Sequence, residues 1–217
     1  MENVQGRQEV NTIDIDQALR HLRTVDSLIY KRATQALEYS PPLQIPKAKP
    51  SNYYFATLVR SIVSQQISTK AATAIFQRLN TSISIDPKSI SACSQEDLCG
   101  HGLTKQKAKY TLHLAKNWRN LKTEEFISLP DEEIVDRLVA QYGIGLWTAQ
   151  MFLLFAMARS DVFAVGDLGL RQQVANWYEI DPNDINGITQ ITENWAPHRS
   201  LASLTLWFYI DNGPILL

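Results

Sequence analysis

Apolar residues recur at helical spacing along almost the whole chain. One amphipathic stripe, with the i, i+3, i+4, i+7 period of a helix, is formed by Phe55, Leu58, Val59, Ile62 and Val63. The strict alternation of apolar and polar residues that is typical of a strand is absent from the sequence. The pattern therefore predicts an all-α protein of about ten helices.

Residues that favour helix termini divide this pattern into segments. The first helical segment begins after Asp14 and ends before Pro41-Pro42. Later helix starts are predicted at Ser68, Asp86-Pro87, Thr104, Pro130-Asp131, Asp167, Asp181-Pro182 and Pro197. We expect residues 1–217 to form a single unit whose two lobes interleave in sequence, about 14–50 with 160–217 in one lobe and about 51–159 in the other.

Charge and cysteine content limit which nucleic-acid-binding and metal sites the sequence can form. The net charge of −1 and the isoelectric point of about 6.4 give no overall attraction to nucleic acid. One basic stretch is either a local DNA-binding surface or a solvated helix face, and it carries Lys105, Lys107, Lys109, Lys116, Arg119 and Lys122. Cys93 and Cys99 are too few for a structural zinc site or a four-cysteine iron-sulfur cluster.

Neither an export signal nor a membrane span is expected from the sequence. The polar start MENVQGRQEV lacks the apolar core of a signal peptide. The longest apolar run, from Met151 to Ala158, is too short to cross a bilayer. We therefore expect an intracellular protein.

Residues 131–158 have the pattern of two helices joined by a tight turn at Gly143 and Gly145. Residues 142–145 are called the hairpin below. The glycines allow the turn, and the second helix begins with free N–H groups at the positive end of its dipole. Such an arrangement binds a phosphate without basic side chains. On its own the turn is equally compatible with an ordinary connection between two helices.

Five segments, taken together and in order, give the chain a specific resemblance. They read SIVSQQIS, HGLTKQKAKYTLHLA, YGIGLWTAQMFLLFAMARSDVF, GDLGLRQ and WAPHRSLASLTLW, and they extend from about residue 55 to about residue 210. The chain resembles the helix-hairpin-helix DNA glycosylase superfamily, in particular its 3-methyladenine DNA glycosylase II branch. The resemblance implies two helical lobes that flank a DNA-binding cleft, and removal of alkylated purines in base excision repair.

The resemblance also implies the residues of a base-excision site. Asp167 would be the catalytic carboxylate. The pocket for the damaged base would be lined by Trp147, Met151, Leu168 and Trp207. Each assignment has a structural alternative, because Asp167 is also a good N-cap for the following helix and the large apolar side chains are also suited to the core.

Contacts to DNA are implied for two loops. In the hairpin region they would come from Gly143, Gly145 and the hydroxyl of Thr148. In the second loop, Gln65, Gln66 and Ile67 would form the wedge that fills the gap left by an everted nucleotide, and Ser68 would also contact DNA. Gln65 and Gln66 are also compatible with a solvated turn. A Na⁺ or K⁺ ion would be held by the backbone carbonyls of Val139, Gln141 and Ile144. No other cofactor is expected.

One position predicts the subtype. Bifunctional relatives place a lysine directly after the Gly-x-Gly-x of the hairpin, where it attacks the sugar, and this chain has Trp147 there. We therefore expect a monofunctional glycosylase without lyase activity. Asp167 would stabilise the oxocarbenium-like sugar and orient a water molecule, while Trp207 would stack on the cationic base.

The sequence departs from its relatives just before Asp167. Many of them read Pro-x-Asp-Asp before Leu-Gly, whereas this chain has Ala164-Val165-Gly166-Asp167. We expect a looser turn and one negative charge fewer, which would weaken excision while leaving DNA binding intact. The alternative function is therefore a weak or inactive homologue that binds abasic or distorted DNA, and a third is a scaffold without a lesion pocket.

These interpretations imply the same partner, oligomeric state and location. The partner would be double-stranded DNA that contains alkylated bases or abasic sites, and no membrane would be involved. The protein would be a monomer, in the nucleus of a eukaryotic cell or in the cytoplasm and nucleoid of a bacterium.

Overall fold

The computed structural model describes residues 12–212, and these residues fold into twelve α-helices. The helices are α1 Ile15–Val25, α2 Ser27–Glu38, α3 Tyr54–Ser64, α4 Thr69–Ser82, α5 Pro87–Ser91, α6 Gln95–Gly100, α7 Lys105–Asn117, α8 Asp131–Val139, α9 Leu146–Phe155, α10 Leu168–Tyr178, α11 Ile185–Glu193 and α12 Arg199–Asn212. Short 3-10 helices lie at Ser51–Tyr53, Trp118–Leu121 and Thr123–Ser128. Between residues 12 and 212 the strand-like pairing is one isolated bridge, from Thr12 to Arg159, so the all-α prediction is confirmed.

Side-chain caps form at most of the predicted helix starts. The side chains of Asp14, Ser68 and Thr104 each accept a hydrogen bond from the backbone N–H three residues further on. Each cap satisfies an N–H group that has no partner within its own helix. Pro130 directly precedes α8, as its sequence predicts.

Two aspartates change the predicted boundaries. The segment after Asp14 folds as two helices because Asp26 ends α1 and begins α2, its Oδ1 accepting hydrogen bonds from the backbone N–H groups of Leu28 and Ile29. The predicted start at Asp181-Pro182 is wrong by a few residues. Asp181 closes a turn instead, and Asp184 caps α11.

The helices pack as two groups. Helix α9 is apolar on nearly all sides and packs against α3 and α8, while α3 also packs against α4 and α7. Helix α2 packs against α1 and α12, and α12 packs against α10. The lobe boundaries near residues 50 and 160 stay a prediction from the sequence.

The carboxylate of Asp26 connects distant parts of the chain. Its Oδ2 accepts hydrogen bonds from the Tyr178 hydroxyl at 2.7 Å and from the Trp195 indole N–H at 2.9 Å. Burial, together with this carboxylate, raises the pKa of Tyr178 well above its usual range, so its hydroxyl keeps the proton that it donates. The junction between α1 and α2 is thereby held against the segment that leads into α12.

Parts of the sequence interpretation lie outside the described residues. The polar N-terminal segment falls within residues 1–11, and the expected second half of one lobe includes residues 213–217. Among residues 12–212 no helix is both long enough and apolar enough to cross a membrane. Cys93 and Cys99 are free thiols.

Candidate active site and DNA-binding hairpin

Asp167 lies at the N-terminus of α10, half-buried, with both carboxylate oxygens engaged. Its Oδ1 accepts a hydrogen bond from the backbone N–H of Leu170 at 3.0 Å. Its Oδ2 accepts one from the indole Nε1 of Trp147 at 2.8 Å. Asp167 is therefore an N-cap, and it is also held by an aromatic side chain that lies two positions after the hairpin in the sequence.

The turn before Asp167 is closed without the proline and the second acid of its relatives. The Asp167 N–H donates to the Ala164 carbonyl at 2.8 Å, and Ala164 is buried. Gly166 is exposed, and a Cβ added there would meet no described atom within 4 Å. Backbone contacts and the Trp147 side chain hold this turn, whose expected loosening stays a prediction.

The hairpin glycines play different parts. Gly143 has a φ of +88°, and a Cβ there would lie 2.0 Å from Cγ of Tyr110 on α7. Gly145 has an ordinary φ of −95°, and a Cβ there would meet nothing within 4 Å among the described residues. Gly143 is thus required by conformation and packing, whereas Gly145 leaves the surface open in front of α9.

The N-terminus of α9 faces this open surface. Gly145 is its N-cap residue, and within residues 12–212 no side chain caps the helix. The first N–H groups of a helix have no partner inside it, and the helix dipole makes this end positive. The arrangement is suited to an anion that approaches over Gly145.

The predicted wedge residues, 65–68, form a short exposed loop between α3 and α4, here called the wedge loop. Gln66 has a left-handed φ of +56°, Ile67 is exposed, and Ser68 caps α4. Gln65 points inwards instead: its Nε2 donates to the Gly143 carbonyl and to the Thr148 hydroxyl, each at 3.0 Å.

This geometry bears on two of the sequence assignments, which stay predictions. The Gln65 amide is bonded to the hairpin. Thr148 is 1% exposed, and its hydroxyl accepts the hydrogen bond from Gln65. Both residues support the loops rather than line their outer surface.

The basic stretch is also revised. The Lys107 ammonium donates hydrogen bonds to the carbonyls of Val63 and Gln65, each at 2.7 Å, at the C-terminal end of α3. Burial lowers the pKa of Lys107 below its usual range. Lys107 is therefore not available to DNA, and the exposed basic side chains of the stretch are Lys105, Lys109, Lys116, Arg119 and Lys122.

A helix, a glycine hairpin, a second helix and a carboxylate at the next helix start occur here in a single helical fold. Residues 59–198 match the family described as HhH-GPD superfamily base excision DNA repair protein. The chain belongs to this superfamily.

Individual relatives agree with the HhH-GPD assignment. DNA-3-methyladenine glycosylase 1 of Schizosaccharomyces pombe is 30% identical over 216 residues, which cover 94% of this chain and 91% of that protein. YfjP of Bacillus subtilis, whose name describes it as a DNA-3-methyladenine glycosylase, is 29% identical over 128 residues. These residues cover 58% of this chain and only 45% of that protein.

A solved structure supports the same family assignment. The S. pombe 3-methyladenine DNA glycosylase Mag1 in complex with abasic DNA superposes with a TM-score of 0.75 at 28% identity, and the match covers 88% of this chain and 95% of that one. The resemblance to the 3-methyladenine branch of the HhH-GPD superfamily is therefore confirmed.

The predicted base-pocket residues of this HhH-GPD protein do not all face one space. Met151 is 4% exposed and packs in the core, the alternative that the sequence leaves open for it, and its place in the pocket stays a prediction. Leu168 is 55% exposed beside Asp167, and Trp147 is half-buried. These two side chains, with the carboxylate, are accessible at the start of α10.

Trp207 lies on α12, one turn before Ile210. A Cβ added to Gly169 would lie 3.2 Å from Oδ1 of Asp167 and 3.4 Å from Cδ1 of Ile210, so Ile210 is close to the carboxylate. Residues three apart share a helix face, which puts Trp207 one turn from this contact. Trp207 is half-buried, and its ring lies 5.9 Å from that of Phe155.

The carbonyls expected to hold a monovalent cation lie where α8 ends. Gln141 accepts a hydrogen bond from the N–H of Ile144. Within the described residues, no hydrogen bond reaches the carbonyls of Val139 and Ile144. Oxygen donors at the negative end of a helix dipole are of the type that binds Na⁺ or K⁺, so the residues present fit the ion.

A cavity of about 300 Å³ lies elsewhere, between α8, α9 and residues 161–163. Asp161 and Arg199 lie on its wall and form a two-pronged ion pair, with N···O distances of 2.7 and 2.8 Å. Sequence reasoning missed this pair, although both residues lie in segments that carry the family resemblance, because the two residues are 38 positions apart in the sequence. Asp167 and Trp147 do not line this cavity.

Proposed function

We propose that this protein is a monofunctional DNA glycosylase that hydrolyses the N-glycosidic bond of alkylated purines, of the 3-methyladenine and 7-methylguanine type. The observation that carries the proposal is the 2.8 Å hydrogen bond from Trp147 Nε1 to Asp167 Oδ2, which holds a carboxylate beside the hairpin of an HhH-GPD fold. The names of the S. pombe relatives support the same substrate class.

The chemistry asked of Asp167 is electrostatic. An alkylated purine carries a positive charge, so its glycosidic bond is already weak and the base leaves without a strong general acid. A fixed carboxylate stabilises the positive charge that develops on the sugar, and its free lone pairs can orient a water molecule towards C1′.

Trp147 supports the monofunctional assignment. An indole has no amine that can form a Schiff base with the sugar, so the step that leads to strand cleavage has no nucleophile at this position. Its N–H instead fixes the orientation of Asp167. We therefore infer that the product is an intact strand that contains an abasic site.

Recognition of the base is assigned to aromatic stacking. Trp207 lies one helical turn before Ile210, whose Cδ1 lies beside Gly169 and the carboxylate. An electron-rich indole attracts a cationic base by about 1 to 2 kcal/mol. Discrimination against normal purines would then combine this attraction with the weaker bond of the damaged nucleotide.

Binding to duplex DNA is assigned to the hairpin and the wedge loop. The open surface over Gly145 and the uncapped start of α9 suit a backbone phosphate, so a net charge of −1 is no obstacle. Gln66 and Ile67 are the exposed candidates for the wedge. The carbonyls of Val139, Gln141 and Ile144 would hold a monovalent cation, which would add positive charge beside that phosphate.

The setting follows from the substrate. The hairpin, the wedge loop and the carboxylate all come from one chain, so a monomer is sufficient. The protein would act where genomic DNA lies, in the nucleus of a eukaryotic cell or in the nucleoid of a bacterium.

Release of 3-methyladenine and 7-methylguanine from methylated duplex DNA tests the proposal. Asp167→Asn is the decisive variant, because asparagine keeps the size and the N-cap acceptor for Leu170 but removes the negative charge. We expect wild type to release both bases, the variant to lose nearly all release, and neither to nick the abasic strand. Full activity of Asp167→Asn would refute the mechanism.

A second function is favoured by one observation. Gly166 stands where relatives carry an acid, and both oxygens of the remaining carboxylate already accept hydrogen bonds. A protein that binds abasic sites without excising bases would show no release by wild type but tight binding to an abasic duplex. Equal affinity for intact and abasic duplex would instead indicate a scaffold without a lesion pocket.

A further inference from the structure

The wedge loop and the hairpin are bonded to each other. The Gln65 side chain crosses between them and donates to the Gly143 carbonyl and to the Thr148 hydroxyl, each at 3.0 Å. These acceptors lie 78 and 83 positions further along the chain. Thr148 is buried and both hydrogen bonds are partly buried, and a hydrogen bond is stronger there than in water.

One face of α7 supports both loops from below. Lys107 donates to the carbonyls of Val63 and Gln65 and so holds the C-terminal end of α3, where the wedge loop begins. Tyr110, one turn further on, packs against Gly143 so closely that no Cβ would fit. A lysine in this position satisfies carbonyls that have no partner within their own helix and offsets the negative end of the helix dipole.

The outer surfaces of the two loops remain accessible. Gln66 holds a left-handed φ of +56° and is exposed, and Ile67 beside it is exposed as well. Gly145 leaves open space in front of α9. The buried side chains therefore fix the distance between two exposed surfaces, one that suits a wedge and one that suits a phosphate.

We infer that Gln65 and Lys107 are positioning residues that hold the wedge loop and the hairpin as one rigid unit. Phosphate binding at the hairpin then places the wedge beside the distorted nucleotide without a further ordering step. Such preorganisation lowers the entropy cost of binding. The inference rests on the proposed function, since it assumes that both loops contact damaged DNA.

The test compares two DNA duplexes, one intact and one with a single tetrahydrofuran abasic site. Gln65→Met has nearly the same volume and loses the donors to Gly143 and Thr148. We expect its affinity for the abasic duplex to fall about tenfold while its affinity for the intact duplex stays unchanged, because only the abasic duplex admits the wedge. Gln190→Met, a surface glutamine on α11 without a side-chain hydrogen bond among the described residues, is the control and should match wild type.

A double-mutant cycle separates coupling from loss of stability. Thr148→Val keeps the shape of the buried side chain and removes one acceptor of Gln65. If the two act through one contact, the double variant should lose little more abasic-site affinity than Gln65→Met alone. Lys107→Met should reduce the ratio of abasic to intact affinity in the same direction.

Two outcomes would overturn the inference. One is a Gln65→Met or Thr148→Val protein that folds and keeps the wild-type ratio of abasic to intact affinity. The other is an equal loss on both duplexes with a lowered melting temperature, which would indicate a structural role only. Failure of the proposed function is distinguishable, because it appears in wild type as absence of base release.

Discussion

Exchanging each hairpin glycine for alanine separates the folding role of the turn from its role in DNA binding. In Gly143→Ala the new Cβ would lie 2.0 Å from Cγ of Tyr110, at a φ of +88° that L-residues rarely adopt. Left-handed backbone costs about 1 to 2 kcal/mol and displacement of a packed ring about 1 to 3 kcal/mol. The free energy of unfolding should therefore fall by about 2 to 5 kcal/mol.

Gly145→Ala should behave in the opposite way. Its φ is ordinary and its Cβ would meet nothing, so only the weaker N-cap preference of alanine counts, about 1 kcal/mol at most. The new methyl group, however, stands on the surface that a phosphate would approach over the N–H groups of α9. We expect about tenfold weaker DNA binding at nearly unchanged stability.

Urea denaturation and fluorescence anisotropy with a duplex measure the two effects. Gly100→Ala, at the end of α6, is the matched control, because its Cβ also meets no described atom within 4 Å. A Gly145→Ala protein that binds DNA as wild type does would show that the phosphate does not lie over this turn. A Gly143→Ala protein as stable as wild type would refute the packing argument.

Other changes test the hydrogen bonds to the carboxylates of Asp167 and Asp26 and the protonation of His198. Trp147→Phe removes the donor to Asp167 and should slow single-turnover release of 7-methylguanine about tenfold with unchanged DNA affinity; an unchanged rate would contradict the positioning role. Tyr178→Phe removes a donor to Asp26 and should lower the free energy of unfolding by about 1 to 2 kcal/mol in urea, an effect that Asp26→Asn should share. Burial and the nearby His21 lower the pKa of His198 below its ordinary 6.5, so the unfolded chain takes up the proton first and stability is lost as pH falls below 6.5. His198→Gln should flatten that decline, and an equal slope in both proteins would exclude this source.

Helix starts were predictable because capping is local. Asp14, Ser68 and Thr104 each accept a hydrogen bond from a backbone N–H only three residues away, so a short stretch of sequence determines the boundary. The position of Asp167 at a helix start was predictable for the same reason. The hydrogen bond from Trp147 to Asp167 was not predictable, because it joins two helices.

Several contacts that the sequence did not predict join residues that are remote in sequence. Asp26, which caps α2 locally, also binds Tyr178 and Trp195, more than 150 positions away. Gln65 and Lys107 are polar residues in loop and surface patterns, and nothing in those patterns indicates that both point inwards. Capping and periodicity are properties of a single segment, whereas these directions depend on how the segments pack.

The contacts of Asp167 change the interpretation of the sequence that precedes it, where this chain departs from the family. Three contacts fix the carboxylate: its own N–H to the Ala164 carbonyl, the Leu170 N–H to Oδ1 and the Trp147 indole to Oδ2. None of them uses the side chain of residue 164 or 166, so replacing proline and an acid there leaves the orientation of Asp167 intact. What Gly166 removes is a charge at an exposed position, and charges in contact with water act weakly at a distance. The N-cap and the catalytic interpretations of Asp167 are therefore compatible, since the cap gives the carboxylate the fixed position that electrostatic catalysis requires.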